Sequence, residues 1–197
     1  MKNIGQLLIL SFGLCAAACV SPEDRADRYV AKAQDYFEDD DLVKPALEPR
    51  NAAQIEPRNV EVRLLLSKIA EQQQSWTDAL GPLLVAAAEA PNNLEARTRL
   101  GTRYSLARAN EKAAIESEAA NAIAPDDPRV RLLKARVSHR KGDVGGALAD
   151  ANVALKTDPT FIDAIMFKAG VLAISQNWDE AIETVNVGIG EVELEDS

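Results

Sequence analysis

The chain is predicted to be an all-α solenoid of about five helix-pair repeats, and three sets of positions predict it. Pro57, Pro91, Pro125 and Pro159 each stand 34 residues after the last. Ala79, Ala113, Ala147 and Ala181 keep the same interval. So do Ala52, Ala86, Ala120 and Ala154, five residues ahead of those prolines. A fixed period of this length marks a supersecondary unit that cannot bury its apolar face alone and stacks on its neighbours. Composition agrees. Of 197 residues 47% are hydrophobic but only 5% aromatic. Much of the apolar content is alanine with leucine, valine and isoleucine, which suits close-packed helix pairs better than a β-sandwich.

The first segment is an address. Met1-Lys2 supplies a positive start, and Ile4, Leu7, Leu8, Ile9, Leu10, Phe12 and Leu14 form an apolar stretch too short to anchor stably across a bilayer. Residues 1–18 are expected to be a signal peptide. Ala16-Ala17-Ala18-Cys19 resembles the bacterial lipobox, with Ala16 where leucine is usual. That resemblance implies that Cys19 is lipidated and becomes the first residue of the mature protein; Cys15 fits less well. Val20 stands where an aspartate would signal inner-membrane retention. The implied location is the outer membrane of a bacterial envelope, facing the periplasm. Lipid chains contribute roughly 0.8 kcal/mol per buried CH₂, so several on one residue hold firmly. An ordinary cleaved signal with an unmodified cysteine is the alternative. Residues 19–25, including Ser21-Pro22-Glu23-Asp24, are expected to link anchor and array.

The array is expected over 26–195, in units 26–59, 60–93, 94–127, 128–161 and 162–195. In the second unit Leu64, Leu65, Leu66, Ile69 and Ala70 recur at helical spacing and predict a helix over Val60–Gln72. Leu80, Leu83, Leu84 and Ala87 predict another over Thr77–Glu89. Each repeated proline follows a second helix and stops it, because it lacks an N–H and clashes with the preceding turn. The pattern resembles the tetratricopeptide repeat. The third unit carries it in Leu100, Gly101, Tyr104, Ala113, Ala120 and Pro125, and the second in Leu66, Ser67, Ala79, Leu83, Ala86 and Pro91. The fourth keeps Ala135, Gly142, Asp143, Ala147, Ala154 and Pro159, but has Lys134 where an apolar residue is usual. The resemblance implies a right-handed superhelix that is specific as to fold and unspecific as to function.

Several positions strain the pattern. Pro45 and Pro49 fall in the first unit's second helix, and an interior proline costs roughly 3 kcal/mol. That helix should start late or be irregular, as drift in a solvent-facing terminal repeat. Pro82 should bend the second unit's second helix. Gly188 replaces the usual alanine and Gly190 follows, each costing about 1 kcal/mol of helix propensity. No further helix follows to cover Val185, Ile189 and Val192, so the last helix is expected to fray, to be covered by another molecule, or to continue into a longer array; the acidic ending from Glu191 is expected to be flexible.

The residues give no sign of catalysis. Both cysteines, Cys15 and Cys19, lie in the first twenty residues, and His139 is the one histidine. A nucleophile–base pair or a zinc site of the usual kind therefore lacks its parts. His139 is read as a solvated groove or surface residue. Gly142-Asp143-Val144-Gly145-Gly146 is a turn within one unit, since a phosphate loop would follow a strand. Asp39-Asp40-Asp41 lacks the spacing of a calcium loop. A net charge of −9 argues against nucleic acid as a partner. No catalytic residue, metal site or cofactor is assigned.

In tetratricopeptide arrays the first helices line a concave groove. By that resemblance the partner-binding groove is assigned to Arg99, Thr102, Arg103, Arg129, Leu132, Arg136, His139 and Arg140, a basic patch within an acidic protein suited to carboxylates. Alternatively, these arginines pair with neighbouring acids. The partner is expected to be a protein or peptide in the groove, with the membrane engaged through lipid on Cys19. Segments such as Leu47-Glu48-Pro49-Arg50-Asn51-Ala52, Ile69-Ala70-Glu71-Gln72-Gln73-Gln74-Ser75-Trp76 and Leu94-Glu95-Ala96-Arg97 are similar to tetratricopeptide lipoproteins associated with exosortase (PEP-CTERM) and exopolysaccharide loci. The implied role is a scaffold for envelope, exopolysaccharide or protein-export assembly. The other readings are a pilotin-like or cell-division adaptor, and the N-terminal piece of a longer protein with an enzymatic domain beyond residue 197.

Overall fold

Helix starts recur at the interval of the sequence. The structure, a computed structural model, describes residues 47–195 and positions 21, 24, 28 and 31. Among them are nine helices and no strand: α1 (Leu47–Ile55), α2 (Val60–Gln72), α3 (Trp76–Glu89), α4 (Leu94–Leu106), α5 (Asn110–Ile123), α6 (Pro128–Arg140), α7 (Val144–Thr157), α8 (Ile162–Ile174) and α9 (Trp178–Glu195). First helices α2, α4, α6 and α8 start 34 residues apart, as do second helices α3, α5, α7 and α9. This is the all-α solenoid that the spacing predicts. The expected helix over Val60–Gln72 is α2, and α3 begins one residue earlier than its apolar pattern suggests. The signal segment, Cys19, Asp39-Asp40-Asp41 and Pro45 lie outside the described residues. At positions 21 and 24, within the expected linker, Ser21 and Asp24 exchange two side chain–backbone hydrogen bonds, and Asp24 is already helical.

The repeat is visible in the helix caps. The side-chain oxygen of Asn59 accepts from the Val62 N–H, that of Asn93 from Ala96, and that of Asp127 from Arg129. Each occupies one of the donors that a helix start leaves open, which is worth ~1 kcal/mol. Phe161 holds the fourth such place, has no side-chain acceptor, and leaves α8 without that cap. The turn inside each pair recurs as well. Gln74, Arg108, Gly142 and Gln176 all have positive φ, between 57° and 84°, at 34-residue spacing. Only Gly142 adopts this conformation without steric cost. The glycine-rich run is thus a turn and helix start: Gly142 makes the bend, and the Asp143 carboxylate accepts from the Gly146 N–H at 2.8 Å.

Packing is closest at the small residues. Ser67, Ala79, Ala86, Gly101, Ala113, Ala120, Ala135, Ala147 and Ala154 are all buried. A Cβ on Gly101 would come within 2.6 Å of Leu133 Cδ2, so α4 needs its glycine for α6 to seat. Gly188 is a correction to the sequence reading. A Cβ there would meet Ile165 Cδ1 at 2.5 Å, so the glycine lets α8 and α9 approach and offsets its helix-propensity cost by contact. Pro49 is a second correction. It is fully buried rather than solvent-facing, and it lies within α1. α3 runs unbroken through Pro82. α9 continues through Glu195, so the acidic ending expected to be flexible is helical to that residue.

Ion pairs join the layers. Arg97 and Arg131 occupy equivalent places in successive first helices. Each reaches an acid nineteen residues on in its own second helix, Glu116 at 2.8 Å and Asp150 at 3.3 Å. Lys134, the misfit of the fourth unit, also meets Asp150, at 3.7 Å. That contact neutralises its ammonium at the place where the pattern expects an apolar residue. Arg63 and Arg97 also donate from Nε to the carbonyls of Pro57 and Pro91, tying each helix start to the proline turn before it.

Two outcomes test this account by urea titration followed by far-UV circular dichroism. Gly142→Ala is expected to lower stability, and Arg108→Gly to raise it, by about 1 kcal/mol each; Gly142 has open space around its Cα, so its effect is purely conformational. Gly101→Val is expected to cost about 1–3 kcal/mol by pushing Leu133 out of its place.

Candidate functional site

First helices pack side by side in the order α4, α6, α8. The α2 side chains Lys68 and Glu71 extend the same cleft, of about 310 Å³, which crosses to Asp163 on α8. The charges in this cleft are unevenly spent. Arg99 donates from Nη1 to the Leu64 carbonyl and Glu95, and from Nη2 to Ser67 Oγ and Glu71. It is the most fully satisfied side chain of the groove and ties α4 to α2. Arg103 Nε lies 3.5 Å from Glu71 Oε1, ion-pair distance without hydrogen-bond geometry, and its guanidinium sits over the Trp76 ring at 4.8 Å. Lys68 pairs with Glu95 at 3.2 Å. Burial raises the Glu95 pKa, but Lys68 and Arg99 outweigh it and hold the carboxyl below its usual range. Arg129 is paired with Asp127 on its own helix start. That hydrogen bond raises the arginine and lowers the aspartate. Thr102 donates its hydroxyl to the Thr98 carbonyl.

Arg136 is different. Among the described residues no carboxylate lies within ion-pair distance of it, and its Nε is buried without a hydrogen-bond partner. Its guanidinium stands 5.3 Å from the centroid of Phe167 on α8. Burial lowers its pKa most; Arg103 and Arg140 push the same way, and Asp163 opposes them. Arg136 lines the 310 Å³ cleft and also a second, of about 280 Å³, that continues past His139 and Arg140 to Met166 and Phe167. His139 meets Phe167 edge-on at 6.0 Å, and its Nδ1 is buried without a partner. It lines the groove, one of the two places expected for it, but is half-buried there rather than freely solvated. Arg140 is exposed and makes no ion pair among the described residues.

The eight residues assigned from the sequence therefore separate. Arg99, Arg103 and Arg129 are neutralised by Glu71, Glu95 and Asp127. Thr102 stays at the cleft wall. Leu132 is only 4% exposed and packs with Ala154 and Ala164, so it is core at the cleft floor rather than open contact surface. Arg136, His139 and Arg140 come together at one end, where Arg136 Nε and His139 Nδ1 are buried without a hydrogen-bond partner and Arg140 is exposed. Trp76 and Phe167, the rings under Arg103 and Arg136, went unassigned in the sequence reading. Both are aromatics in a chain poor in them, and that scarcity is the one signal that could have singled them out. The described residues contain no grouping of acids, histidines and cysteines suited to a metal ion, and no described helix is long and apolar enough to cross a membrane.

No family model and no curated protein matches the chain. Solved structures do match it. MamA from Desulfovibrio magneticus RS-1 (residues 41 to the end) superposes with a TM-score of 0.69 at 17% identity, covering 90% of this chain and 100% of that one. PilW, a type IV pilus biogenesis factor, gives 0.73 at 18% identity, over 85% of this chain and 78% of its own. YrrB, described as a TPR protein with an unusual peptide-binding site, gives 0.61 at 16%, over 84% and 85%. At these identities the likeness establishes architecture, and the chain has the fold of a tetratricopeptide-type α-solenoid.

Proposed function

We propose that this chain is a non-enzymatic, lipid-anchored scaffold of a bacterial envelope that holds an acidic segment of a partner protein in the groove between its first helices. The observation that carries the reading is Arg136. It is a largely buried cation with an unsatisfied Nε, facing two clefts, in a groove whose other assigned arginines near α2 and the α6 start are already paired. A partner carboxylate there would gain a charge-assisted hydrogen bond in a partly desolvated setting, worth more than a surface pair. The peptide-binding site for which YrrB is described lends support from the same fold. Anchoring would follow from Cys19 in its lipobox-like setting. The process served would be assembly of envelope, exopolysaccharide or exported protein. The likeness to the pilus factor PilW favours a pilotin-like adaptor as the second reading.

Two experiments test this. A photo-crosslinker placed at Thr102 in the native envelope is expected to trap one partner through an acidic segment, and Arg136→Glu with Arg140→Glu to abolish the adduct at unchanged helicity. An equal adduct from the doubly reversed protein would sink the groove assignment. Cys19→Ala is expected to move the protein from the membrane fraction to the soluble periplasm; retention in the membrane would show that lipid is not the anchor.

A further inference from the structure

Arg63, Arg97 and Arg131 stand 34 residues apart, one in each of the first helices α2, α4 and α6. Each lays its guanidinium against the turn that precedes its helix. Arg63 Nε donates to the Pro57 carbonyl at 2.8 Å, and Arg97 Nε to the Pro91 carbonyl at 2.9 Å. Arg131 pairs with Asp126, next to Pro125, at 3.2 Å. In α4 and α6 the same guanidinium also meets a carboxylate of the second helix, Glu116 or Asp150. One cation thus ties the turn to the pair that follows. The fork of the guanidinium lets it serve both partners at once.

The fifth unit breaks both series. Ile165 stands where the arginines stand, and Thr184 where Glu116 and Asp150 stand. Ile165 is buried and turned onto α9, its Cδ1 2.5 Å from where a Cβ on Gly188 would lie. The Thr184 hydroxyl donates to the Glu180 carbonyl of its own helix. Among the described residues no donor reaches the Pro159 carbonyl. A cleft of about 380 Å³ occupies the place, walled by Asn152 and Leu155 of α7, Pro159, Lys168 of α8, and Glu180 and Glu183 of α9. It is larger than either cleft of the groove. It also lies between described repeats. The places of α3 on which α4 packs include Leu80, Leu83 and Ala87, and their counterparts on α9, Ile182, Val185 and Ile189, do not line it.

The charges of this cleft determine what fits it. Glu183 is exposed and makes no hydrogen bond or ion pair among the described residues. Glu180 accepts from Asn177 at one oxygen, and its other oxygen meets Lys168 only at 4.0 Å. Lys168 does not bar a second cation, because its counterpart Lys134 shares the carboxylate of Asp150 with Arg131. The cleft therefore offers a backbone carbonyl, two carboxylates and, in Leu155, apolar surface for an aliphatic stem. We infer that it receives an arginine side chain of another polypeptide, seated as Arg97 and Arg131 are seated by this chain itself. Guanidinium rather than ammonium is the ligand, because one group must donate to a carbonyl and a carboxylate together, as Arg97 does. The site shares no residue with the clefts at Arg136 and does not rest on the function proposed there.

The test titrates Nα-acetyl-arginine N-methylamide into the isotope-labelled full chain and follows backbone amides by NMR. A lone side chain binds weakly, so a Kd on the order of 1–10 mM is expected. The saturable shifts should centre on Asn152, Lys168, Glu183 and Thr184. The citrulline analogue keeps the shape and loses the charge; the lysine analogue keeps the charge and loses the fork. Each should bind about tenfold more weakly. Glu180→Gln with Glu183→Gln should weaken the arginine probe about tenfold as well. Both residues are exposed, so the fold is expected to survive, with circular dichroism as the check. Ile165→Arg with Thr184→Glu rebuilds the pair of α4 from within and should exclude the probe. Arg136→Glu should leave binding unchanged, and loss of binding there would move the site to the groove. No saturation by about 50 mM, far above any affinity of a built site, would overturn the proposal. So would equal binding by the lysine analogue or by the doubly neutralised chain. Shifts at Lys168 with acetate and none with the arginine probe would overturn it too, by making the cleft an anion site.

Discussion

Close approach of helix backbones at small side chains is the constraint on which this molecule rests. Ser67, Ala79, Ala86 and their equivalents are buried where helices meet, and a Cβ at Gly101 or Gly188 would come within 2.6 Å of Leu133 Cδ2 or 2.5 Å of Ile165 Cδ1. Side chains this small contribute little apolar area each, at about 25 cal/mol per Å². Stability must therefore come from many contacts repeated along the array, which is how solenoids distribute it. The caps at Asn59, Asn93 and Asp127 and the left-handed turns serve this end: they fix where each helix begins, so that every small residue arrives opposite its partner.

Much of this was legible in the sequence because period is a one-dimensional signal. Three residue series at 34-residue spacing predict helix pairs, and the helices occur at that spacing. What was not legible depends on which atoms meet in three dimensions. Gly188 carries a propensity cost in isolation, and only the position of Ile165 shows why it is tolerated. Pro49 reads in sequence as a breaker in a solvent-facing repeat, and only the structure shows it fully buried within α1. Lys134 breaks the apolar pattern, but Asp150, sixteen residues on, neutralises it. In the groove, residue type identified the arginines and could not tell which were already paired. Arg99 and Arg136 look alike in sequence; one has four acceptors and the other an aromatic ring.

That difference decides what the groove can do. A paired arginine exchanges one carboxylate for another on binding, and the gain is small because the internal partner is left uncompensated. Arg99 and Glu71 are better understood as a brace that fixes α4 against α2. An arginine held only against a ring has not made that commitment. Contact with the Phe167 ring limits the freedom of the Arg136 guanidinium, so less entropy is lost when a ligand arrives. One half of the groove is thus spent on internal pairing, while the other keeps Arg136 Nε and His139 Nδ1 without partners.

α8 supplies one wall of the unsatisfied end of the groove. Phe167 faces Arg136 and His139, and Met166, its neighbour in the chain, lines the same cleft. α8 is also the first helix without a side-chain N-cap, since Phe161 stands where Asn59, Asn93 and Asp127 cap the earlier ones. Its start is thus the least fixed of the four, and local opening free energy follows local contacts. An occupant of the groove that orders the start of α8 is strengthened in turn by anything else that orders it, as linkage requires.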